Sequence, residues 1–527
     1  MGSFRRVLLT ALRNAALPGL AAVVCVAAAG AQPVDSSAVL FDDGVVHEFN
    51  ITFYIDGWQD SLLANYAAGE LYMPARVEYK GMVFDSVGVR YKGNSSYVQS
   101  RHTPKKPLKF AFDEYRDKQT CCGMKTLNFS NAVKDPTFLR EKLAYGILAG
   151  FLPSPRAAYA TVSVNGAPLG LYLMIEQVDK TFLGRHFSSK GYNLYKASDK
   201  GATLEYRGGD KEAYKSEYEL KTNEKADDWS RFIAMLQALN NSPADSFAAQ
   251  AGRLLDLQGA ARFLAFSMAV SNFDSYLGSG RNFYLYDDES EGRFKFIPWD
   301  PNEAFGAYSN DWDVIGQDAL TIANLSRRPL TRRILEHEPL RIEYLRAIRH
   351  FIDGPASYDS ISAAVARWKP FLDPLVDADP NKLYSYQNFL DNFEHDVVVG
   401  INMTAPALLP FSRERCEELR AQLAVYLGEG TPGEGGPIPE FACFPNPGGR
   451  GSLLRYRLRR AGNVALEMSD LSGRIVKTVA CGLQLPGLHS VTGLDGGLPS
   501  GIYFFNLTFS DMATGAAAVS GKLAVIR

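Results

Sequence analysis

Asp274, Asn282 and Asp300 are the residues of this chain whose types and spacing best suit chemistry. Two carboxylates and a carboxamide are hard oxygen donors, suited to a magnesium or manganese ion that also holds phosphate oxygens. They are far apart in sequence, so folding must bring them together. Phe283 to Tyr286 and Arg293 to Ile297 alternate as two strands around an acidic, glycine-containing turn, Asp287 to Gly292. An antiparallel hairpin sets its first and last residues side by side. The midpoint between Asn282 and Asp300 falls in that turn, so the two are expected to face each other at the open end. Upstream, Leu257 to Phe273 reads as an apolar helix ending at Asp274, which would deliver its carboxylate to the same place. A solvated acidic turn with an Asn cap is the plainer reading of the same residues.

Residues 38–180 are rich in strand patterns. Val87, Val89 and Tyr91 alternate with Gly88, Arg90 and Lys92, and the strand runs into Gly93-Asn94-Ser95-Ser96, a turn of small residues with exposed amides. A strand follows at Pro107 to Phe112. Asp135-Pro136 then has the form of a helix start, Asp as N-cap and Pro at the first position, with Phe138, Leu139, Leu143, Ile147 and Leu148 on the helix. Val162 to Val164 and Leu171 to Ile175 form a hairpin around Asn165-Gly166. Residues 181–427 read as mostly helical apart from the Phe283 to Ile297 hairpin, with periodic segments at Trp229 to Leu239, Leu257 to Phe273, Leu340 to Ile352, Ser360 to Phe371 and Arg413 to Leu427.

The 527 residues carry a formal charge of −2 with 46% hydrophobic content, enough for a substantial core in two or more domains. No basic block or excess of Lys and Arg is present, so no nucleic-acid partner is expected. Residues 1–31 have the form of a secretory signal peptide: Arg5, Arg6 and Arg13, an apolar run from Ala15 to Ala29, then Ala29-Gly30-Ala31. No later apolar run is long enough for a transmembrane helix. Of six cysteines, Cys25 lies in that leader; Cys443 and Cys481 could bridge, and the adjacent Cys121-Cys122 lack the companions of a zinc site. Residues 428–442, dominated by Gly, Pro and Glu, read as a linker. Beyond them, residues 443–527 read as an all-strand module, a small Ig-like β-sandwich: Leu454, Tyr456 and Leu458, then Val464, Leu466 and Met468, then Tyr503, Phe505, Leu507 and Phe509 alternate with polar or exposed positions.

Two resemblances sharpen this reading. Phe444-Pro445-Asn446-Pro447, Asp470-Leu471-Ser472-Gly473-Arg474, Ser500-Gly501-Ile502-Tyr503-Phe504 and Lys522-Leu523 resemble FlgD-like and type IX secretion sorting domains, which implies export past an outer membrane or display on a bacterial cell surface, with the export machinery as a partner. Residues 38–310 resemble the CotH family, the spore-coat protein H kinases. The matching segments are Gly88-Val89-Arg90-Tyr91-Lys92-Gly93-Asn94-Ser95-Ser96, Lys105-Lys106-Pro107-Leu108-Lys109-Phe110, Gly170-Leu171-Tyr172-Leu173-Met174-Ile175-Glu176, Asn193-Leu194-Tyr195-Lys196, Asn272-Phe273-Asp274, Arg281-Asn282-Phe283-Tyr284 and Ile297-Pro298-Trp299-Asp300.

The CotH resemblance implies an α+β, atypical protein-kinase-like domain of two lobes, a strand-rich one over 38–180 and a helical one over 181–427. It also implies a secreted enzyme that transfers phosphate from ATP to a protein hydroxyl, with Mg2+ or Mn2+. By it, Asp274 positions the acceptor hydroxyl while Asn282 and Asp300 hold the metal. Gly93, Asn94 and Ser95 would cradle phosphate through backbone amides. Lys109 shares its strand face with small Ala111, leaving room for an adenine ring, whereas Lys106 aligns with Leu108, Phe110 and Phe112; Lys109 is the favoured cation. Its carboxylate partner is Glu141 or Glu176. Arg90 and Lys92 are further phosphate contacts, or simply edge protection. The Ser275 to Arg281 loop is longer than in ordinary kinase catalytic loops, and Gly278 and Gly280 permit the bulge. Asn302 stands where the family often has a second Asp, which weakens the case for a second metal. A catalytically silent surface-binding domain is the competing expectation.

Overall fold

Between His47 and Glu176 the first strands alternate buried and exposed residues and the last are buried over consecutive positions, and seven strands close on themselves. In the computed structural model, which describes residues 35–310, 312–323, 325–401, 403–427, 440–444, 453–458, 461–494, 496–511 and 515–525, these are β1 (His47–Phe53), β2 (Met73–Tyr79), β3 (Met82–Tyr91), β4 (Leu108–Ala111), β5 (Thr126–Ser130), β6 (Ala157–Val164) and β7 (Ala167–Glu176). They form a closed barrel in the order β1-β2-β3-β4-β5-β7-β6. The seam is parallel, Phe49 of β1 opposite Val162 of β6, and the other pairs are antiparallel. Phe49, Val87, Val89, Phe110, Leu127, Phe129 and Met174 fill the interior. Register then sets Arg90 opposite Lys109 and Lys109 opposite Asn128. Because neighbours in a strand point to opposite faces, filling the barrel with Val89, Phe110 and Leu127 lines up these three polar side chains on the other face. The β6–β7 turn takes left-handed φ at both Asn165 (+49°) and Gly166 (+80°), the geometry that Asn-Gly predicts.

The helix expected at Asp135 begins later, at Arg140, and runs to Leu148. Asp135 instead folds back on a turn: its carboxylate accepts from Thr137 N at 3.1 Å and Arg140 N at 2.8 Å and pairs with the Arg140 guanidinium, while Phe138 takes φ +58°. The side-chain bonds compete with helix and win over the first turn.

A second sheet forms beyond the barrel. β8 (Leu194–Ala197), β9 (Tyr218–Leu220), β10 (Phe283–Asp288) and β11 (Arg293–Pro298) lie in the order β11-β10-β8-β9. The hairpin β10–β11 was expected; β8 and β9, four and three residues long, are too short for periodicity to reveal. Helices Ser230–Asn241, Leu257–Ala269, Glu338–Asp353, Tyr358–Ala378 and Leu408–Tyr426 surround a large apolar core. The Tyr358–Ala378 helix continues through Pro370 and Pro374, past its expected end. Residues 440–444 form a strand, so the expected linker ends earlier than 442; its 428–439 portion, like the leader at 1–31, lies outside the described residues.

The C-terminal strands make one sheet of three and one of four, sharing a core of Leu454, Tyr456, Leu466, Phe505 and Leu507. Cys481 is a free thiol, so the Cys443–Cys481 bridge does not form. Arg457 of this module reaches Asp318 at 3.4 Å, and Asp318 also accepts from Tyr426. Among the described residues no helix is long and apolar enough to cross a membrane.

One buried ion pair ties the barrel to the helices. Lys105, at the entry to β4, meets Asp379 at the end of the Tyr358–Ala378 helix, and both side chains are wholly inaccessible. Asp379 also accepts from Leu171 N at 3.0 Å and Asn381 N at 2.8 Å. Removing one member of such a pair strands a buried charge. Lys105→Met is expected to lower the unfolding free energy by about 3–5 kcal/mol in urea denaturation, and Lys105→Met/Asp379→Leu to recover part of that loss. Equal midpoints for Lys105→Met and the parent would show that the pair contributes nothing.

Candidate functional site

The helix Leu257–Ala269 stops five residues short of Asp274, not at it. Ser271 takes φ +48°, its N–H reaches Met268 O, and Asn272 N donates to Ser267 O at 2.8 Å. That pairing is a Schellman ending with Ser in the left-handed position usually given to Gly. The chain then makes a tight loop in which Ser279 N donates to Phe273 O at 3.0 Å and Gly280 N to Ser275 O at 2.9 Å. Gly280 has φ +80°, and a β-carbon on Gly278 would lie 2.1 Å from Phe273 O, so this bulge requires both glycines.

The loop brings Asn282 back onto Asp274. Asn282 Nδ2 donates to Asp274 O at 2.7 Å and to Asp274 Oδ2 at 2.9 Å. Asp274 Oδ1 is buried with no hydrogen-bond partner. Across the hairpin mouth, Asn282 O accepts from Trp299 N at 3.1 Å, so Asn282 pairs with Trp299 and Asp300 lies one residue beyond. Asp300 and Asn282 both adopt left-handed φ, +49° and +60°. Asn and Asp enter this region more readily than other non-glycine residues, which suits them to the two sharp bends here. Asp300 N donates to the Tyr145 hydroxyl at 3.0 Å, tethering it to the Arg140–Leu148 helix.

These residues line a cleft of about 330 Å³ between the barrel strands β3–β5 and the sheet carrying β8 to β10. Of the expected residues, Arg90, Lys92, Gly93, Asn94, Ser95, Lys109, Asp274, Asn282 and Asp300 face it. The Gly93-Asn94-Ser95-Ser96 turn leads directly into a short helix, Ser95–Gln99. Lys106 and Glu176 do not face the cleft. Lys106 Nζ donates to Thr103 O at 2.6 Å, and Glu176 is buried between Arg156 and Arg185, its charge already compensated. Glu141 is buried behind the cleft, where Asp300, Ser130, Lys92 and Asp135 act on it, and it pairs with neither Lys109 nor Lys92 among the described residues.

Sequence reasoning missed Lys196, Asp199, Lys221, Arg281, Asn128 and Gln177, which also line the cleft. Lys196 sits opposite both Tyr284 and Glu219. Its alternation with Leu194 was visible, but on a strand of four residues.

Electrostatics concentrate here. Burial, then Asp300, pushes the Glu141 carboxyl up to about 8, against a Ser130 hydrogen bond and Lys92. Burial, then the cations Arg90, Lys92, Lys221 and Lys196, pushes Lys109 down to about 7. Asp300 is raised by burial, with Lys92 opposing and Asp274 adding to the rise. Glu303, hydrogen-bonded by Lys134 at 2.7 Å, is raised to about 7, by burial first, against Lys134 and with Asp274 adding.

Among the described residues no three His, Cys, Asp or Glu side chains converge as a metal cluster, and the adjacent Cys121 and Cys122 belong to none. The donors that suit a hard divalent cation are Asp300 and the Asn282 Oδ1, which accepts from no described residue, beside the unpartnered Asp274 Oδ1. The Asp274 charge adds to the rise of the Asp300 carboxyl, as a nearby like charge does, and a cation bound beside both would offset it.

The family model described as "CotH kinase protein" matches residues 89–402, more than half of the chain. The chain belongs to the CotH family. The match begins within β3 and includes the cleft from Arg90 to Asn302. The inner spore coat protein H of Bacillus subtilis (strain 168) is 26% identical over 321 residues, covering 59% of this chain and 83% of that protein. A solved structure of PorZ, a surface component of the type IX secretion system of Porphyromonas gingivalis, overlaps 16% of this chain and 11% of its own at 21% identity, with a TM-score of 0.12, too slight to bear on fold or function.

The Lys109 shift has a consequence for stability. Folded Lys109 loses its proton near pH 7, whereas the unfolded side chain keeps it to about its ordinary value of 10.5. Between these limits the unfolded state binds more protons, so stability rises with pH. The unfolding free energy of the parent minus that of Lys109→Met is therefore expected to increase from pH 7 to 10. A flat difference curve would mean that Lys109 stays protonated in the fold.

Proposed function

We propose that this CotH-family chain is an atypical protein kinase that transfers the γ-phosphoryl group of ATP to a Ser or Thr hydroxyl of a protein, with Mg2+ or Mn2+ bound at Asn282 and Asp300. The observation that carries the reading is Asp274: it lines the cleft with Asp300, Asn282 fixes one of its carboxylate oxygens, and the other is buried there with no partner among the described residues. A general base needs an unpartnered, oriented oxygen, which the acceptor would have to reach on binding. In the step, the acceptor oxygen bonds to the γ-phosphorus, its proton passes to Asp274 Oδ1, and the bond to the bridging oxygen breaks with its electron pair leaving on ADP. The metal would supply charge neutralisation between the β- and γ-phosphates. Lys92 and Lys109 would donate to the same oxygens, whose negative charge would offset the burial and neighbouring cations that otherwise draw the proton off Lys109, and Lys196 and Arg281 line the same space. The backbone amides after Gly93 are the phosphate cradle. Phosphoryl transfer asks the protein mainly for positioning and electrostatics, which is what this cleft is built from. In this reading the barrel and the helical region are the two lobes of a kinase-like fold.

The enzyme would act outside the cytoplasm, on a protein at or beyond the cell surface, with residues 1–31 as leader and residues 443–527 as the export address. Deleting 443–527 is then expected to leave the chain cell-associated. Unchanged display or release of the truncated chain would remove that assignment.

Radiolabel transfer from ATP to the chain itself or to a Ser-rich acceptor, with magnesium or manganese, tests the chemistry. Asp274→Ala and Asp300→Ala are each expected to reduce transfer by on the order of 10²–10³ or more. The double variant should be little worse than either, because residues acting as a unit are strongly non-additive. Small, additive losses, or no transfer and no nucleotide binding by the parent, would favour a silent binding domain.

A further inference from the structure

A second pocket, of about 370 Å³, backs onto the loop that carries Asp274. Its walls include Lys200, Thr203, Ser216, Ser279, Arg327 and Arg328. Arg328 is only 7% exposed, yet no described carboxylate lies within ion-pair distance of it. Its terminal nitrogens donate only to main-chain carbonyls, Arg327 O at 3.0 Å and Gly278 O, and its Nε has no acceptor. The Tyr276 ring, 5.7 Å from the guanidinium carbon, gives partial relief. Buried guanidinium groups are ordinarily matched by carboxylates or other anions. Arg140 follows that rule with Asp135, whereas Arg415, enclosed in the helical core, ends like Arg328 on main-chain carbonyls; Arg328 differs from it in lining a pocket together with two further cations.

Arg327 and Lys200 at the same pocket form no ion pair with any described residue either. The one carboxylate in the lining, Glu217, is taken by Arg207 and by Thr203, whose N and Oγ1 both donate to it at 3.2 Å. The walls are also fixed in place. Ala202 N donates to Gly280 O at 2.6 Å, and a β-carbon on Gly201 would sit 2.6 Å from Ser279 O. The pocket thus combines three cations that lack a carboxylate partner, three hydroxyl-bearing side chains and a rigid floor.

We infer that this pocket binds a phosphate group, either inorganic phosphate or the phosphoryl group of a phosphorylated Ser or Thr side chain. The Arg328 Nε supplies a buried donor with no present acceptor, and a planar guanidinium suits a tetrahedral oxyanion. Arg327 and Lys200 add charge from the rim. A phosphate here would compete with Gly278 O for Arg328 Nη2, and Gly278 belongs to the loop running from Asp274 to Asn282. The pocket is thereby wired to the cleft, although its occupancy does not depend on phosphoryl transfer.

Calorimetric titration of the full chain with inorganic phosphate and with a short phosphoserine peptide tests this, in a Lys109→Met background that weakens phosphate binding in the cleft. One saturable site is expected, weakened about tenfold, the worth of a charge-assisted hydrogen bond, by Arg327→Gln or Lys200→Gln. Both side chains are exposed, so these variants are expected to fold as the parent does; Arg328→Gln should weaken binding further. Tighter binding of the peptide than of inorganic phosphate identifies a phosphoprotein as the occupant, and equal or weaker binding identifies free phosphate. Affinity unchanged by Arg327→Gln and by Lys200→Gln, or no saturable binding up to millimolar phosphate, overturns the assignment.

Discussion

The structure is organised around charge that its own residues leave uncompensated in a confined cleft. Glu141 is driven up to about 8 and Lys109 down to about 7, in each case by burial first. Lys92 and Asp300 are perturbed in opposite directions, and each moderates the other. Groups so placed are unfavourable to a folded chain unless something offsets them. They persist because the scaffold around them is stiff: a closed barrel on one side and a hairpin sheet with its helices on the other. Strongly perturbed titratable groups gathered in one cleft are a functional signature.

The scaffold determines where each charge stands. The dry interior of the barrel requires Val89, Phe110 and Leu127 to point inward, which forces Arg90, Lys109 and Asn128 into a single outward row. The opposite wall is held less cheaply. Ser271, Asn282 and Asp300 all adopt left-handed φ, each at a cost of about 1–3 kcal/mol if strained as such residues usually are. The Schellman turn, the two loop glycines and the Tyr145 hydroxyl on Asp300 N are what hold those conformations.

Much of this was legible in sequence, for identifiable reasons. Period-two alternation gave the strand ending in Arg90, the Asn165-Gly166 turn and the β10–β11 hairpin, because each is a local pattern with its own physical signal. The approach of Asn282 and Asp300 followed from hairpin geometry, one residue out of register, whereas Asp274 arrives on a loop and not at the helix end its apolar pattern suggested. What failed was non-local or too short. Nothing local distinguishes the Lys106 ammonium, spent on Thr103 O, from that of Lys109 in the cleft, beyond which strand face each occupies. Glu176 looked free in sequence, but Arg156 and Arg185 reach it from other elements. Asp135 resembled an N-cap until its carboxylate met Thr137 and Arg140. Lys196 lies in a strand of four residues and Lys221 follows one of three, below the length at which a period can be counted.

The way this chain treats its other buried charges bears on what the cleft is for. Lys105 has Asp379, Arg140 has Asp135, Arg231 has Asp287, and each pair meets within hydrogen-bonding distance. Those are charges stabilised from within. Lys92, Lys109, Lys196 and Arg281 line the cleft without an ion pair among the described residues, and Asp274 and Asp300 likewise lack one. The contrast is not a shortage of partners, since cations and carboxylates share the same 330 Å³. Arg90 and Glu70 of the same lining do pair, whereas Lys92, Lys109, Lys196, Arg281, Asp274 and Asp300 are held apart by the walls that carry them. Separated charges of both signs suit a ligand carrying both, an anion for the lysines and a cation for the carboxylates, and a polyphosphate with its divalent metal has that form. A surface used only for adhesion would have no such need to keep Asp274 and Lys109 apart.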